Sequence, residues 1–425
     1  MTYSHAGRRL GAREEDEAMR TVDEQLARVL TAAVRPAPVR VAISEAQGLL
    51  CAEEVVAEQA LPGFDQAAVD GYAVRSVDVQ AASEEPILMP VVGEIPVGSR
   101  QPRRLQPGQA VRVDTGAPLP TLADAVVPLE YTDEHPAKVT VRRSVPSAAF
   151  VRRTGEDVQT GDVAVRRGAP IGPAQVGLLA AVGRDKVLVH PRPRVSVISV
   201  GEELVDVDRT PGQGQVYDVN SYALAAAARD AGAEVTRVGI MSSDPRRLRE
   251  VVEGRLLLSE IVVIAGGVGG TQGAEVRAAL ADLGELDVSR VAMQPGSVQG
   301  FGRLGPDEIP TFALPSNPVS ALVAFEVLVR PLIRTALGKQ NPHRRTVTAE
   351  LLSPITSTKG RRGFLRGQLL RDPQNGSYLV QPLGTSGSHL LASLAEANCL
   401  VVVDEEVTEV AAGEEVQVRF LSQRG

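Results

Sequence analysis

Five short segments of this 425-residue chain carry residues that could handle an anion together with a hard cation. They are Ser199-Val200-Gly201-Glu202-Glu203, Tyr217-Asp218-Val219-Asn220, Ser242-Ser243-Asp244, Gly266 to Gly273, and Pro315-Ser316-Asn317-Pro318. Glycines between a strand and a helix let backbone N–H groups approach a phosphate, and a helix N-terminus favours negative charge. Nearby carboxylates suit Mg²⁺, which binds through one or two of them while bridging to phosphate. Each segment also has a plainer role. Asp244 before Pro245 makes a good helix N-cap with proline at the first helical position. Asp218 and Asn220 can cap the helix that follows them, and Gly266–Gly270 can be a tight turn. The functional reading depends on all five loops meeting at one end of one sheet.

The elements needed for that are legible between residues 194 and 340. Arg194 to Val200 is a run of buried-strand character. A helix over Asn220–Ala233, a strand over Glu234–Met241 and a helix opening at Asp244-Pro245 follow. Glu260–Ala265 is a strand, Ala274–Leu283 a helix, Thr311–Leu314 a strand and Pro318–Leu337 a long helix. Strands alternating with helices predict an α/β fold, a doubly wound parallel sheet with helices on both faces, and ligands of such sheets bind beyond the strands' carboxyl ends.

Around this domain the texture differs. Met19, Val22, Leu26, Val29, Leu30 and Ala33 recur at helical spacing within Asp16–Val34, ended by Arg35-Pro36-Ala37-Pro38. Ser44-Glu45-Ala46-Gln47 has the form of a capping box, which predicts a short second helix. Short apolar runs between Gly and Pro turns from Pro62 to Pro146 predict a small β-rich domain. Pro173–Val182 reads as a helix in a stretch that returns toward the N-terminal helix. Thr346–Leu352, Tyr378–Leu383 and Cys399–Val403 predict a C-terminal β-domain of barrel type. The expected division is a polar tail over 1–15, an extended domain in two pieces over 16–61 and 147–190, a β-rich domain over 62–146, the α/β domain over 191–340 and the C-terminal domain over 341–425.

Composition limits the chemistry. The net charge is −7, Trp is absent and aromatics are 3%, which disfavours nucleic acid as a partner. The two cysteines, Cys51 and Cys399, and the five scattered histidines have no zinc spacing. The expected location is cytoplasmic, with both thiols reduced, no secretory leader and no membrane-spanning run. The glycine loop misses G-x-G-x-x-G because Gln272 stands at its last position, and no P-loop exists. Gly384-Thr385-Ser386-Gly387-Ser388 is no nucleophile elbow.

The longest motif lies elsewhere, in Leu61-Pro62-Gly63-Phe64-Asp65-Gln66-Ala67-Ala68-Val69-Asp70-Gly71-Tyr72-Ala73-Val74. It resembles P-x-F-D-x-S-x-M-D-G-Y-A, the signature of the molybdopterin molybdotransferases, the family of bacterial MoeA and the gephyrin E domain. Asp114-Thr115-Gly116-Ala117-Pro118, Arg152-Arg153-Thr154-Gly155-Glu156-Asp157, Gly266-Gly267-Val268, Pro295-Gly296, Pro315 to Ser320, Gly387-Ser388-His389 and Asn398-Cys399 follow in family order. The resemblance spans residues 16 to 422. It implies an elongated homodimer whose cleft lies between the α/β domain of one subunit and the β-rich domain of the other. It also implies a reaction: adenylated molybdopterin plus molybdate gives AMP and the molybdenum cofactor, with Mg²⁺ assisting. Carried over, Asp70 and Asp244 are the catalytic carboxylates, with Asp244 and Glu203 toward the metal. Thr115, Glu156, Asp157, Gly201, Glu203, Asp218, Asn220, Gly266, Gly267, Pro295, Gly296, Pro315, Asn317 and Pro318 bind substrate. Ser320, Arg366 and Ser388 receive molybdate.

The sequence also departs from the pattern. Where the family has G-G-V-S-x-G-x-x-D, this chain has Gly269 for the serine and Ala274 for the aspartate. Where the family has K-P-G-K, this chain has Gln294-Pro295-Gly296-Ser297. Charge-assisted hydrogen bonds contribute about 1.5–3 kcal/mol each, so the losses predict a weaker hold on phosphate and molybdate and a reduced or altered activity. The alternative is a gephyrin-like dimeric scaffold that holds a short peptide of a receptor, cytoskeletal or cell-division protein.

Overall fold

The computed structural model describes residues 19–100, 103–241, 244–384 and 390–421. The chain forms two compact units, one of residues 38–190 and one that joins the N-terminal segment to residues 191–425.

In the larger unit the predicted alternation folds into a six-stranded sheet. Its order is Glu234–Met241, Arg194–Val200, Ile261–Ala265, Ile309–Leu314, Val298–Leu304 and Leu286–Arg290. The first four strands run parallel. The last two are antiparallel, so the sheet is mixed rather than wholly parallel. The departure has a simple cause: Leu286–Arg290 and Val298–Leu304 are joined by a short connection and need no crossover helix. Helices cover both faces. In the central strand Ile261, Val263 and Ala265 join one core with the helix Asn220–Ala231 and the helical stretch Pro318–Ala324, Phe325–Val329 and Arg330–Ala336. Val262 and Ile264 join the other core, with Pro245–Leu256 and Gly270–Leu280. This period-2 division makes a run of five apolar residues necessary.

The N-terminal helix spans Val22–Leu30 and starts at a capping box of Thr21 and Glu24. Its buried Val22 and Val29 join the first of those cores, each burial contributing roughly 1.5–3 kcal/mol. The C-terminal region is a closed barrel. Arg362–Arg371 pairs with Tyr378–Pro382 on one side and with Cys399–Val403 on the other; Thr346–Leu351 and Glu415–Phe420 complete the ring. The strand Arg362–Arg371 has no clear alternation of apolar residues in the sequence, whereas Glu415–Phe420 alternates strictly, with Val416 and Val418 buried.

In the smaller unit Gly71–Val74 lies inside a five-stranded sheet of order Ala125–Pro128, Gly71–Val74, Ala110–Val113, Ile87–Ile95, Lys138–Val141. A second sheet brings Lys186–His190 back to Val39–Ala42 and Leu50–Cys51. The helix predicted after Ser44 does not form: residues 43–49 are turns between two strands of this sheet, and pairing on both sides leaves too few residues for helical turns. Pro173–Ala181 is the expected helix. Both cysteines are buried and free, and burial raises the pKa of each, Cys399 to about 12. No helix among the described residues is long and apolar enough to cross a membrane.

Candidate functional site

The signature segment of the smaller unit ties three motifs together through its backbone and two aspartates. Gly116 donates its N–H to the carbonyl of Ala67 at 2.8 Å, and Ala67 donates back to Ala117 at 2.9 Å. Val151-Arg152 pairs with Gln66-Ala67. Asp70 Oδ1 accepts both the N–H and the hydroxyl of Thr115, each at 2.7 Å. Asp65 repeats the device on Thr154, whose N–H and hydroxyl both reach Oδ1 at 2.8 Å, and it adds Arg153 at 2.7 Å. The Thr115 hydroxyl, then its N–H, holds the Asp70 carboxyl below the usual carboxylate range. Asp65 is lowered chiefly by the Thr154 N–H. Asp70 is exposed, so this is a charged group presented to solvent rather than an ion pair hidden in a core. Gly71 is required beside it, since a Cβ there would come within 2.2 Å of the Val127 carbonyl oxygen. Glu156 accepts the Arg153 N–H at 2.9 Å within its own turn, and the Asp157 N–H bonds Leu61 at 3.0 Å. Sequence reading passed over Asp65 as a site residue although it lies in the same motif as Asp70.

In the larger unit hydrogen bonds join several of the strand-end segments, while Ser242 and Ser243 of the third lie outside the described residues. Gly201 donates to Met241 at 3.3 Å and Gly266 to Leu314 at 3.0 Å. Gly266 sits at φ +85°, and a Cβ there would approach the Val200 carbonyl oxygen to 2.3 Å. Gly267 is buried against Ala313 and Ile264. Asn220 reaches the Ser316 carbonyl at 2.6 Å, joining the second and fifth loops. Asn317 caps the helix that begins at Pro318 by accepting the Ser320 N–H at 3.0 Å, and Pro315 ends the strand before it.

The carboxylates here have unequal duties. Asp218 is 1% exposed and accepts the Ser199 hydroxyl at 2.8 Å, the Ser221 N–H at 3.0 Å and the Ser221 hydroxyl, with Arg237 at 3.9 Å. Asp244 accepts the N–H groups of Arg246 and Arg247 at 2.9 and 3.1 Å, so its capping role is realised. Glu203 is exposed. Among the described residues no group of three or more Asp, Glu, His or Cys side chains gathers as a metal cage.

Pro295 follows a cis peptide bond, and Gly296 at φ +92° lies against the backbone of Ser320, 3.1 Å from where a Cβ would stand. Met293-Gln294 pairs with Arg362-Gly363, at the start of the barrel strand that carries the buried Arg366. Burial pushes the Arg366 guanidinium below its ordinary pKa. Gln294 lines a small cavity of about 90 Å³ with Thr356, Ser357, Thr358, Gly363 and Leu365. The Ser297 hydroxyl donates to the Val291 carbonyl at 2.8 Å, and Ala274 is exposed in the first turns of Gly270–Leu280. Ser388 lies outside the described residues, as do Ser242 and Ser243.

Family models match in the same order as these units. The MoeA N-terminal region (domain I and II) matches residues 20–183, the probable molybdopterin binding domain 196–335, and the MoeA C-terminal region (domain IV) 348–421. Over 426 aligned residues the chain is 63% identical to molybdopterin molybdenumtransferase 1 of Mycobacterium tuberculosis, covering 96% of this chain and all of that protein (100%). The chain belongs to the molybdopterin molybdenumtransferase family. Molybdopterin molybdenumtransferase 2 of the same organism is 40% identical over 94% of this chain and 99% of its own length. Solved molybdopterin biosynthesis MoeA proteins from Pyrococcus horikoshii superpose with TM-scores of 0.80 and 0.73 at 31% and 29% identity, each covering 95% of this chain and 100% of that chain. Members of this enzyme family share the α/β domain and the β-rich domains described above.

Proposed function

We propose that the protein inserts molybdenum from molybdate into adenylated molybdopterin and releases AMP. The observation that carries this is the arrangement at Asp70: an exposed carboxylate that accepts two hydrogen bonds from Thr115, in the signature segment of a chain 63% identical to a named transferase over nearly its whole length. Asp70 supplies a fixed negative charge and a proton acceptor where the phosphoanhydride reacts. Gly266, Gly267 and the capped helix at Asn317 offer backbone approach to phosphate. Ser320, Arg366 and Ser388 receive molybdate, and Thr115, Glu156, Asp157, Gly201, Asn220, Pro295, Gly296, Pro315 and Pro318 shape the substrate's surroundings. Mg²⁺ neutralises phosphate charge when bound; Asp244 and Glu203 would hold it, a sparse donor set that fits an ion arriving on the substrate's phosphates rather than one caged by protein. The working form is a homodimer in the cytoplasm, divided into four domains at the boundaries given above.

Turnover is slower than in a family member with the full charge set, because Ala274, Gln294 and Ser297 supply no charge and the Ser297 hydroxyl is held by the Val291 carbonyl. The test is AMP release from adenylated molybdopterin by the purified protein with Mg²⁺ and molybdate. Release that stops in Asp70→Asn supports the transferase. A folded protein that releases no AMP at any molybdate concentration overturns it and leaves the peptide-binding scaffold.

A further inference from the structure

Beside the strand-end loops the larger unit has a wide, open surface groove of about 650 Å³, lined by Val207, Tyr217, Asp218, Val219, Tyr222 and Ala223. Its walls are aromatic and aliphatic yet face water: Val207 is 57% exposed, Tyr217 45% and Tyr222 38%. Exposed apolar surface in such a groove favours a flat ligand that displaces water from it.

The Tyr222 ring and the backbone that carries Tyr217 are held in place before any ligand arrives. The Tyr222 hydroxyl donates to Asp206 at 2.6 Å, and the Arg237 guanidinium lies 3.9 Å from the ring centroid. Arg237 is fixed in turn by Asp206 at 3.2 Å and Ser221 at 3.1 Å. Tyr217 stands on a two-residue strand paired with Leu204-Val205, where the N–H groups of Val216 and Asp218 donate to Glu203 and Val205 at 2.8 and 2.9 Å. The Asp218 carboxylate at the edge of the groove already accepts from Ser199 and Ser221. Recognition here would therefore rest on the faces of the rings rather than on hydrogen bonds to a ligand's edge.

We propose that this groove seats a fused nitrogen heteroaromatic ring of the substrate, with Tyr217 as the stacking face and Tyr222 as the braced wall. The inference rests on the transferase reading, because the purine and the pterin of adenylated molybdopterin share this chemistry. Stacking on an aromatic side chain accepts any flat ring, so the site tolerates changes at the ring's edge.

Calorimetric titration of the full chain with AMP, and separately with pterin, tests it. Binding that weakens roughly 10- to 100-fold in Tyr217→Ala and returns in Tyr217→Phe supports the subsite. That pattern with AMP assigns the purine; with pterin it assigns the pterin. Equal binding by parent and Tyr217→Ala, or no binding of either probe, overturns the proposal. Tyr217 is about half exposed, so its replacement leaves the core intact, and an unchanged unfolding midpoint verifies this. AMP release measured on the same preparations separates the two claims. Unchanged KM and kcat in Tyr217→Ala overturn the subsite and leave the transferase standing. No release by the parent chain overturns the transferase, and the titration then decides the subsite alone.

Discussion

The smaller and larger units place aspartates in opposite surroundings. At Asp70 and Asp65 one threonine gives both its N–H and its hydroxyl to one carboxylate oxygen at a loop surface. Asp218 instead is 1% exposed, and two serines and an arginine surround it. The first arrangement fixes a charge while leaving it open to a ligand. The second uses the charge to join the strand Arg194–Val200 to the helix Asn220–Ala231. A carboxylate's place in a family motif therefore does not settle its duty; its neighbours do.

This contrast predicts opposite phenotypes. Asp70→Asn should lower the rate of AMP release by roughly 10²–10⁴-fold while leaving the unfolding midpoint in place, as for a positioned acid–base group outside the core. A loss of stability instead would put Asp70 in the same class as Asp218. Asp218→Asn should behave the other way. It replaces a carboxylate oxygen that accepts hydrogen bonds from two serines in a buried site, which costs about 1–3 kcal/mol measured by denaturant unfolding. Retained stability there would break the comparison. Gly71→Ala forces a Cβ into the Val127 carbonyl oxygen and should cost the smaller unit about 1–3 kcal/mol. Because two compact units exist, that loss should show as an earlier first step of unfolding rather than a uniform shift.

Much of this division was readable in the residues, and the remainder has physical reasons. The strand-end loops around Gly201, Asp218, Gly266 and Ser316 were legible because strand–helix alternation fixes which end of a parallel sheet they occupy. The antiparallel strands Leu286–Arg290 and Val298–Leu304 were missed because Gly300 and Gly302 interrupt the apolar pattern, yet a Cβ on Gly302 would strike the Glu285 carbonyl oxygen at 2.2 Å. The false helix after Ser44 shows a capping pattern overridden by strand pairing on both sides. The role of Asp65 is not legible in the signature, since nothing in the sequence says that Thr154, 89 positions away, is its partner.

The smallest effect expected is also the most specific to the exposed device. Thr115→Val removes the hydroxyl, the largest influence on the Asp70 carboxyl, and keeps the N–H. Asp70 is held below its ordinary 3.8, so its charge is present above that value and is lost only as pH falls through the lower folded pKa. If the charge carries the reaction, the acid limb of the rate profile lies below the ordinary carboxylate range in the parent chain. In Thr115→Val that limb should move up toward it, with the neutral-pH rate little changed, because the carboxylate remains ionised there in both. A pH series of AMP release measures this directly. A limb that stays in place would mean that the Thr115 hydroxyl only shapes the loop. The two aspartate environments would then differ in exposure alone.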